Sequence, residues 1–303
     1  MHWIDEETQA FLNLLADSIG TTKILLLVNY RPEYSHQWGS KTYYTQLRLD
    51  PLGKESAEEM LSALLGDSAE LAPLKRVIIE KTEGTPFFME ETVQVLFDEG
   101  ALVRDGGAVR LTRPLGELKI PPTVQGIIAA RIDRLSPGEK ELLQTLAVVG
   151  MNFPASLVKQ VVTRPEAEVQ PLLSNLQLAE FIYEQPTFPD IEYTFKHALT
   201  HDVAYNSVLI ERRKLLHERA GAAIEALFTD KIHEHLGDLA HHYGRSANPQ
   251  KAVEYLRLAG EQSLQRYANA EAISRLTSAL ELLKTLPDSP QRAHDGSSAP
   301  GAP

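Results

Sequence analysis

The chain has 303 residues, 43% of them hydrophobic, with a net charge of −11 and a sequence pI of about 5.4. That length buries sizeable cores and suits roughly two to four small domains, while the acidity argues against a protein whose main business is binding phosphate backbones. Cysteine is absent, which removes disulfides and thiolate metal sites, and the longest apolar run, Ile24 to Val28, is far short of a membrane span. No charged-then-apolar leader opens the sequence, so the expectation is a cytoplasmic chain with no membrane partner.

In chain order, Asp5 to Ser18 reads as a helix with Phe11, Leu14 and Leu15 on its apolar side. Lys23 to Asn29 is a continuous apolar run bounded by polar residues, the pattern of a strand buried on both faces, and Tyr43 to Leu49 alternates as a second strand. Arg31, next to Pro32, would then emerge at the carboxyl end of the first strand, where open α/β sheets place ligands. An exposed arginine paired with Glu33 is the plainer alternative.

Helices follow at Ser56 to Leu65, stopped by Gly66, and at Leu71 to Thr82. Thr85 then offers an N-cap, Pro86 a first helical position where its missing N–H costs nothing, and Gly100 a left-handed stop, so Pro86 to Glu99 is a helix. Glu90, Gln94 and Asp98 mark its polar side, and Phe88, Met89, Val93, Val95 and Leu96 its apolar side. Leu102 to Leu111 alternates on both sides of Asp105-Gly106-Gly107, a hairpin signal, and a linker runs from Thr112 to Pro122.

Thr123 to Leu135 and the stretch opened by the Ser136-Pro137-Gly138-Glu139 capping box are amphipathic helices. Two more fall at Pro154 to Val162 and Glu166 to Leu178, and Phe181 to Glu184 and Ile191 to Phe195 alternate as a two-stranded wing. Three helices and a wing predict a winged helix. Its expected reading helix, Glu166 to Leu178, carries no Lys or Arg, which argues against nucleic acid as a partner. Lys196 to Glu218 reads as long connecting helices, and Ala222 to Leu283 as helices with small residues at tetratricopeptide-like spacing, at most two repeats. His197 and His201, and the group His233, His235, His241 and His242, lack the glutamate spacing of a zincin, and ordinary helix faces account for both. Asp288 to Pro303 has the composition of a disordered tail.

Four motifs together resemble the STAND-type regulatory ATPases, a branch of the AAA+ superfamily, particularly those fused to bacterial adenylate and guanylate cyclases. They are Met1-His2-Trp3-Ile4-Asp5, Leu26-Leu27-Val28-Asn29-Tyr30-Arg31-Pro32-Glu33-Tyr34, Gly84-Thr85-Pro86-Phe87-Phe88 and Phe195-Lys196-His197-Ala198-Leu199-Thr200-His201. The resemblance implies that Pro86 faces the adenine and Arg31 the terminal phosphate wherever a nucleotide pocket exists. In intact relatives ATP and magnesium are held by a phosphate loop and a Walker B strand. Neither is found here: the single Gly-Lys pair, Gly53-Lys54, is followed by Glu55, and position 48 is Arg. No cofactor is therefore expected in this chain, no catalytic residue can be named, and Arg31 and Pro86 stand as vestigial nucleotide-facing candidates.

The expected fold class is mainly α with a partial α/β core. The expected divisions are a remnant of the ATPase core over 1–52, a helical lid and hairpin over 53–112, a winged helix over 113–196, tetratricopeptide-like helices over 197–287 and the tail over 288–303. The resemblance implies a C-terminal portion of a larger signalling protein, acting in regulation and protein contacts and linked to a nucleotide cyclase system. Its partners would be another protein or other domains of a longer parent. The alternatives are an ATP-binding ATPase completed by another polypeptide and a DNA-binding regulator.

Overall fold

The structure is a computed structural model that describes residues 4, 6–31, 34–186 and 190–286. Most of the motif at residues 1–5, Pro32 and Glu33, the tip of the wing and the expected tail lie outside the described residues. The chain is mainly α-helical with two small antiparallel sheets, and it divides into two compact units, residues 49–216 and residues 1–48 with 217–303.

In the unit of residues 49–216, α2 (Lys54–Leu65), α3 (Ala72–Thr82) and α4 (Pro86–Asp98) build the lid, following α1 (Glu6–Ser18) of the other unit. Each inserts an apolar stripe into one core, in which Leu61, Leu74, Ile78 and Met89 are fully buried. Gly66 closes α2 at φ +83°, its N–H bonded to Ser62 O at 2.8 Å. Thr85 caps α4 through its backbone: Met89 N–H donates to Thr85 O at 3.0 Å, and the side chain makes no capping bond. β1 (Leu102–Asp105) and β2 (Ala108–Leu111) pair from Leu102↔Leu111 to Asp105↔Ala108, with Gly106 and Gly107 both at positive φ as a two-residue hairpin turn requires.

α5 (Val124–Arg134) is capped by Thr123, whose side chain accepts from Gly126 N, and α6 (Pro137–Val149) carries the complete reciprocal box between Ser136 and Glu139. With α7 (Ala155–Val161), α8 (Glu166–Leu178), β4 (Ile182–Gln185) and β5 (Glu192–Phe195) they form the helices and wing read from the sequence. A third strand, β3 (Asn152–Pro154), lies beyond β5, giving the order β3-β5-β4. Three residues between Gly150 and a helix are too few for alternation to register.

The connecting helices expected from Lys196 to Glu218 are α9 (Ala198–Asn206) and α10 (Ile210–Leu227), the second running on past Glu218. His197 is extended, and the break at Ser207 has a local cause. Ser207 Oγ turns back to Ala204 O at 2.7 Å and accepts from Gln144 Nε2 at 2.9 Å, while Val208 drops into a pocket with Val148 and Leu216. A straight helix could not satisfy both.

The other unit contains α1, the extended segments, α10 from His217 onward, α11 (Leu236–Tyr243), α12 (Pro249–Gln265) and α13 (Asn269–Thr285). α12 and α13 pack closely because Gly260 faces Leu276, where a Cβ would come within 2.7 Å of the leucine side chain. The two expected strands are corrected here. Lys23 to Asn29 and Tyr43 to Leu49 form no ladder, and Leu25, Leu27, Leu47 and Leu49 are 91, 86, 79 and 95% exposed. A strand is an agreement between neighbours, and among the described residues neither segment is paired in a backbone ladder. Trp38 anchors this region instead, buried, with Nε1 donating to Asn13 Oδ1 at 2.8 Å.

Candidate functional site

The acidic positions of α4 decide what this helix can meet. Glu91 and Asp98 are seven residues apart, two turns, and so share a face. That face receives Arg131 of α5, which stands three and four residues from Ile128 and Ile127 on an otherwise apolar stripe. Arg131 Nη1 donates to Glu91 Oε2 at 2.6 Å, Nε to Asp98 Oδ2 at 3.2 Å and Nη2 to Ala179 O at 2.6 Å. Its guanidinium lies 4.7 Å from the Phe181 ring centroid. The Arg131 and Glu91 side chains are 3% and 4% exposed, so this is a fully desolvated pair that joins the lid helix to the winged helix.

One turn back on α4, the third and fourth resembling motifs meet. The Phe87 and His197 ring centroids are 4.0 Å apart, and Lys196 Nζ donates to Glu90 Oε1 at 3.2 Å and to Glu180 Oε2 at 2.5 Å. Burial works against the Lys196 ammonium, but the Glu180 and Glu90 carboxylates outweigh it and hold its pKa above the ordinary lysine value. Burial, reinforced by the adjacent Lys196 charge, pushes the His197 imidazole below its ordinary value against the pull of Glu91 and Glu90. His197 Nε2 is buried without a hydrogen-bond partner. Glu180 itself sits at φ +57°, a left-handed conformation that a non-glycine residue adopts at a cost. Lys196, Glu90 and Glu180 are a donor and two acceptors locked on one another, an arrangement that helps to fix the angle between two elements.

The two nucleotide-facing candidates are placed plainly. Pro86 is exposed at the first position of α4, and Arg31 is exposed in the other unit. Of the two histidine groups, His197 lies outside α9, His201 bonds Asp202 and His235 bonds Asp238, while His241 and His242 pack edge to face with ring centroids 5.2 Å apart. Among the described residues no group of three or more His, Asp or Glu side chains is arranged so that it could hold a metal ion. The outer positions of α8, including Glu166, Glu168, Gln170, Ser174 and Asn175, are exposed and carry no basic side chain. Arg131 was not singled out by sequence reasoning, although an arginine at apolar spacing was the available signal.

No family model matches the chain. It is similar to "Uncharacterized protein R02095" of Rhizobium meliloti (strain 1021), 25% identical over 292 residues, which is 95% of this chain and 28% of that protein. The chain thus spans under a third of the length of this relative. No helix among the described residues is long and apolar enough to cross a membrane.

Proposed function

We propose that the chain is a non-catalytic regulatory and protein-interaction portion of a STAND-type signal-transduction ATPase, working in a nucleotide cyclase system in the cytoplasm. The observation that carries this reading is the meeting of Phe87 with His197 and of Glu90 with Lys196, which puts two separately recognised sequence motifs, more than a hundred residues apart by numbering, on one joint. The desolvated Arg131–Glu91 pair one turn along the same helix suits this region to switching between two discrete arrangements, because a half-broken buried ion pair is costlier than either a closed or a hydrated one. Its partners are another protein or further domains of a longer parent, in keeping with the greater length of the Rhizobium meliloti relative. The resemblance assigns Arg31 and Pro86 as vestigial nucleotide-facing positions, and neither brings a phosphate loop with it.

Titration calorimetry with Mg-ATP tests the reading. The expected outcome is no saturable binding. A micromolar dissociation constant that disappears in Arg31→Ala would overturn it in favour of an ATPase completed by another polypeptide. Mobility shifts on duplex DNA at physiological salt are expected to be weak and sequence-independent, as the polar, non-basic face of α8 implies.

A further inference from the structure

From Leu25 to Tyr30 burial alternates residue by residue: Leu25, Leu27 and Asn29 are exposed, and Leu26, Val28 and Tyr30 are half-buried. That is the period of an extended segment with one face on its own unit and the other open. Leu25 and Leu27 are 91 and 86% exposed, and Ile24 beside them is 56% exposed. Among the described residues no backbone hydrogen bond reaches Ile24 to Val28, and no ladder includes them. The segment therefore presents what an edge strand presents, a row of free N–H and C=O groups beside apolar side chains.

We propose that Lys23 to Asn29 is a self-association strand, pairing antiparallel with the same segment of a second copy of this chain. The sequence is self-complementary about Leu26. Opposed residues of an antiparallel pair share a face, so Leu25 of each copy meets Leu27 of the other, and four leucines gather on the open face. On the opposite face Ile24 meets Val28. At the ends Lys23 stands opposite Asn29 and Arg31 opposite Thr21, so no cation faces a cation or a leucine.

The neighbouring registers are worse. A shift of two residues one way sets Lys23 opposite Arg31, and a shift the other way sets it opposite Leu27. An apolar strand of a different polypeptide would match the leucines alone, whereas a second copy matches the leucines and the charges together. The resulting pair is two-fold and closed, the same patch serving both copies. Three apolar side chains a side bury far less than the about 800 Å² per partner of a standard interface, so the pairing is weak and shows at high concentration.

Sedimentation velocity of the full chain over a hundredfold range of concentration tests the pairing. The native chain is expected to pass from monomer to dimer, and the amides of Ile24 to Val28 to gain hydrogen-exchange protection as it does. Leu25→Lys and Leu27→Glu each set a charge opposite a leucine at two symmetric places, and each is expected to weaken association about tenfold. In the double variant every introduced ammonium meets an introduced carboxylate across the pair, so association is expected to return to within about threefold of the native value. Both positions are exposed, so all three variants should melt with the native chain. A chain that is monomeric at every concentration, as it would be were this edge reserved for another polypeptide, overturns the proposal. So does a dimer that neither single variant weakens, a double variant no better than the singles, or association that continues beyond two copies.

Discussion

The lid and winged-helix region and the segment from Ile19 to Leu49 contain similar apolar residue types, but they use them in opposite ways. In the first, Leu61, Leu74, Ile78 and Met89 are fully buried, and even the charged Arg131 and Glu91 are drawn inside. In the second, Leu25 and Leu27 face solvent although they lie in the longest apolar run of the sequence, and Leu47 faces solvent as well. Hydrophobicity alone does not produce a core. A helix brings its own backbone hydrogen bonds and needs only a face to dock, whereas an extended segment needs a neighbour to satisfy both its backbone and its side chains.

The largest expected effect tests the first half of that contrast. Arg131→Met leaves the Glu91 carboxylate buried without its main partner and is expected to destabilise the 49–216 unit by about 3–5 kcal/mol. The double variant Arg131→Met with Glu91→Leu should recover most of that, because two apolar groups of similar shape make no unpaid charge. Urea melts of the single and double variants check both. If the two variants are equally destabilised, packing rather than charge holds the joint.

Gly84 is next. It sits at φ +73°, its carbonyl accepts from Leu52 N–H at 2.8 Å, and a Cβ would lie 2.3 Å from Leu52 O. Gly84→Ala is expected to cost about 1–3 kcal/mol from the backbone conformation alone, more with the clash, measured as a shift in the urea midpoint. Lys196→Met should cost less, about 0.5–1 kcal/mol, because Glu90 and Glu180 are 39% and 51% exposed and can be rehydrated.

His197 adds a pH signature to the same joint. Its pKa lies below the ordinary value, so its contribution to stability is complete above about pH 6.5 and is lost as the pH falls through that value toward the lowered one. Melts of the native chain and His197→Gln between pH 5 and 7.5 should diverge only on the acid side. At the other extreme, Leu25→Ser with Leu27→Ser should leave the melting temperature almost unchanged, within about 0.5 kcal/mol, while raising solubility. Limited proteolysis should cut first between Tyr34 and Lys54, and early cleavage within α5 or α6 would contradict the comparison.

The sequence was most legible where local chemistry and tertiary packing agree. The Ser136–Glu139 box, the prolines opening α4 and α6 and the Gly106-Gly107 turn are read from neighbouring residues and need nothing distant. It was least legible where the outcome depends on a remote group. Nothing local separates Lys23 to Asn29 from a buried strand, and the break at Ser207 depends on Gln144, more than sixty residues earlier. The joint lay between these cases: Phe87, Lys196 and His197 fell within recognised motifs and Glu90 two residues past one, but only the fold puts them side by side, and Arg131 lay outside every motif.

The bond between Leu52 and Gly84 also has a mechanical meaning. It pins the chain just before α2 to the turn just before α4, so α2 and α3 form a loop closed at its neck. Tension applied to the chain ahead of Leu49 would reach this neck before it could unwind either helix of the loop. While the pin holds, the load passes to the start of α4, the helix that carries Glu90, Glu91 and Asp98, and bypasses α2 and α3.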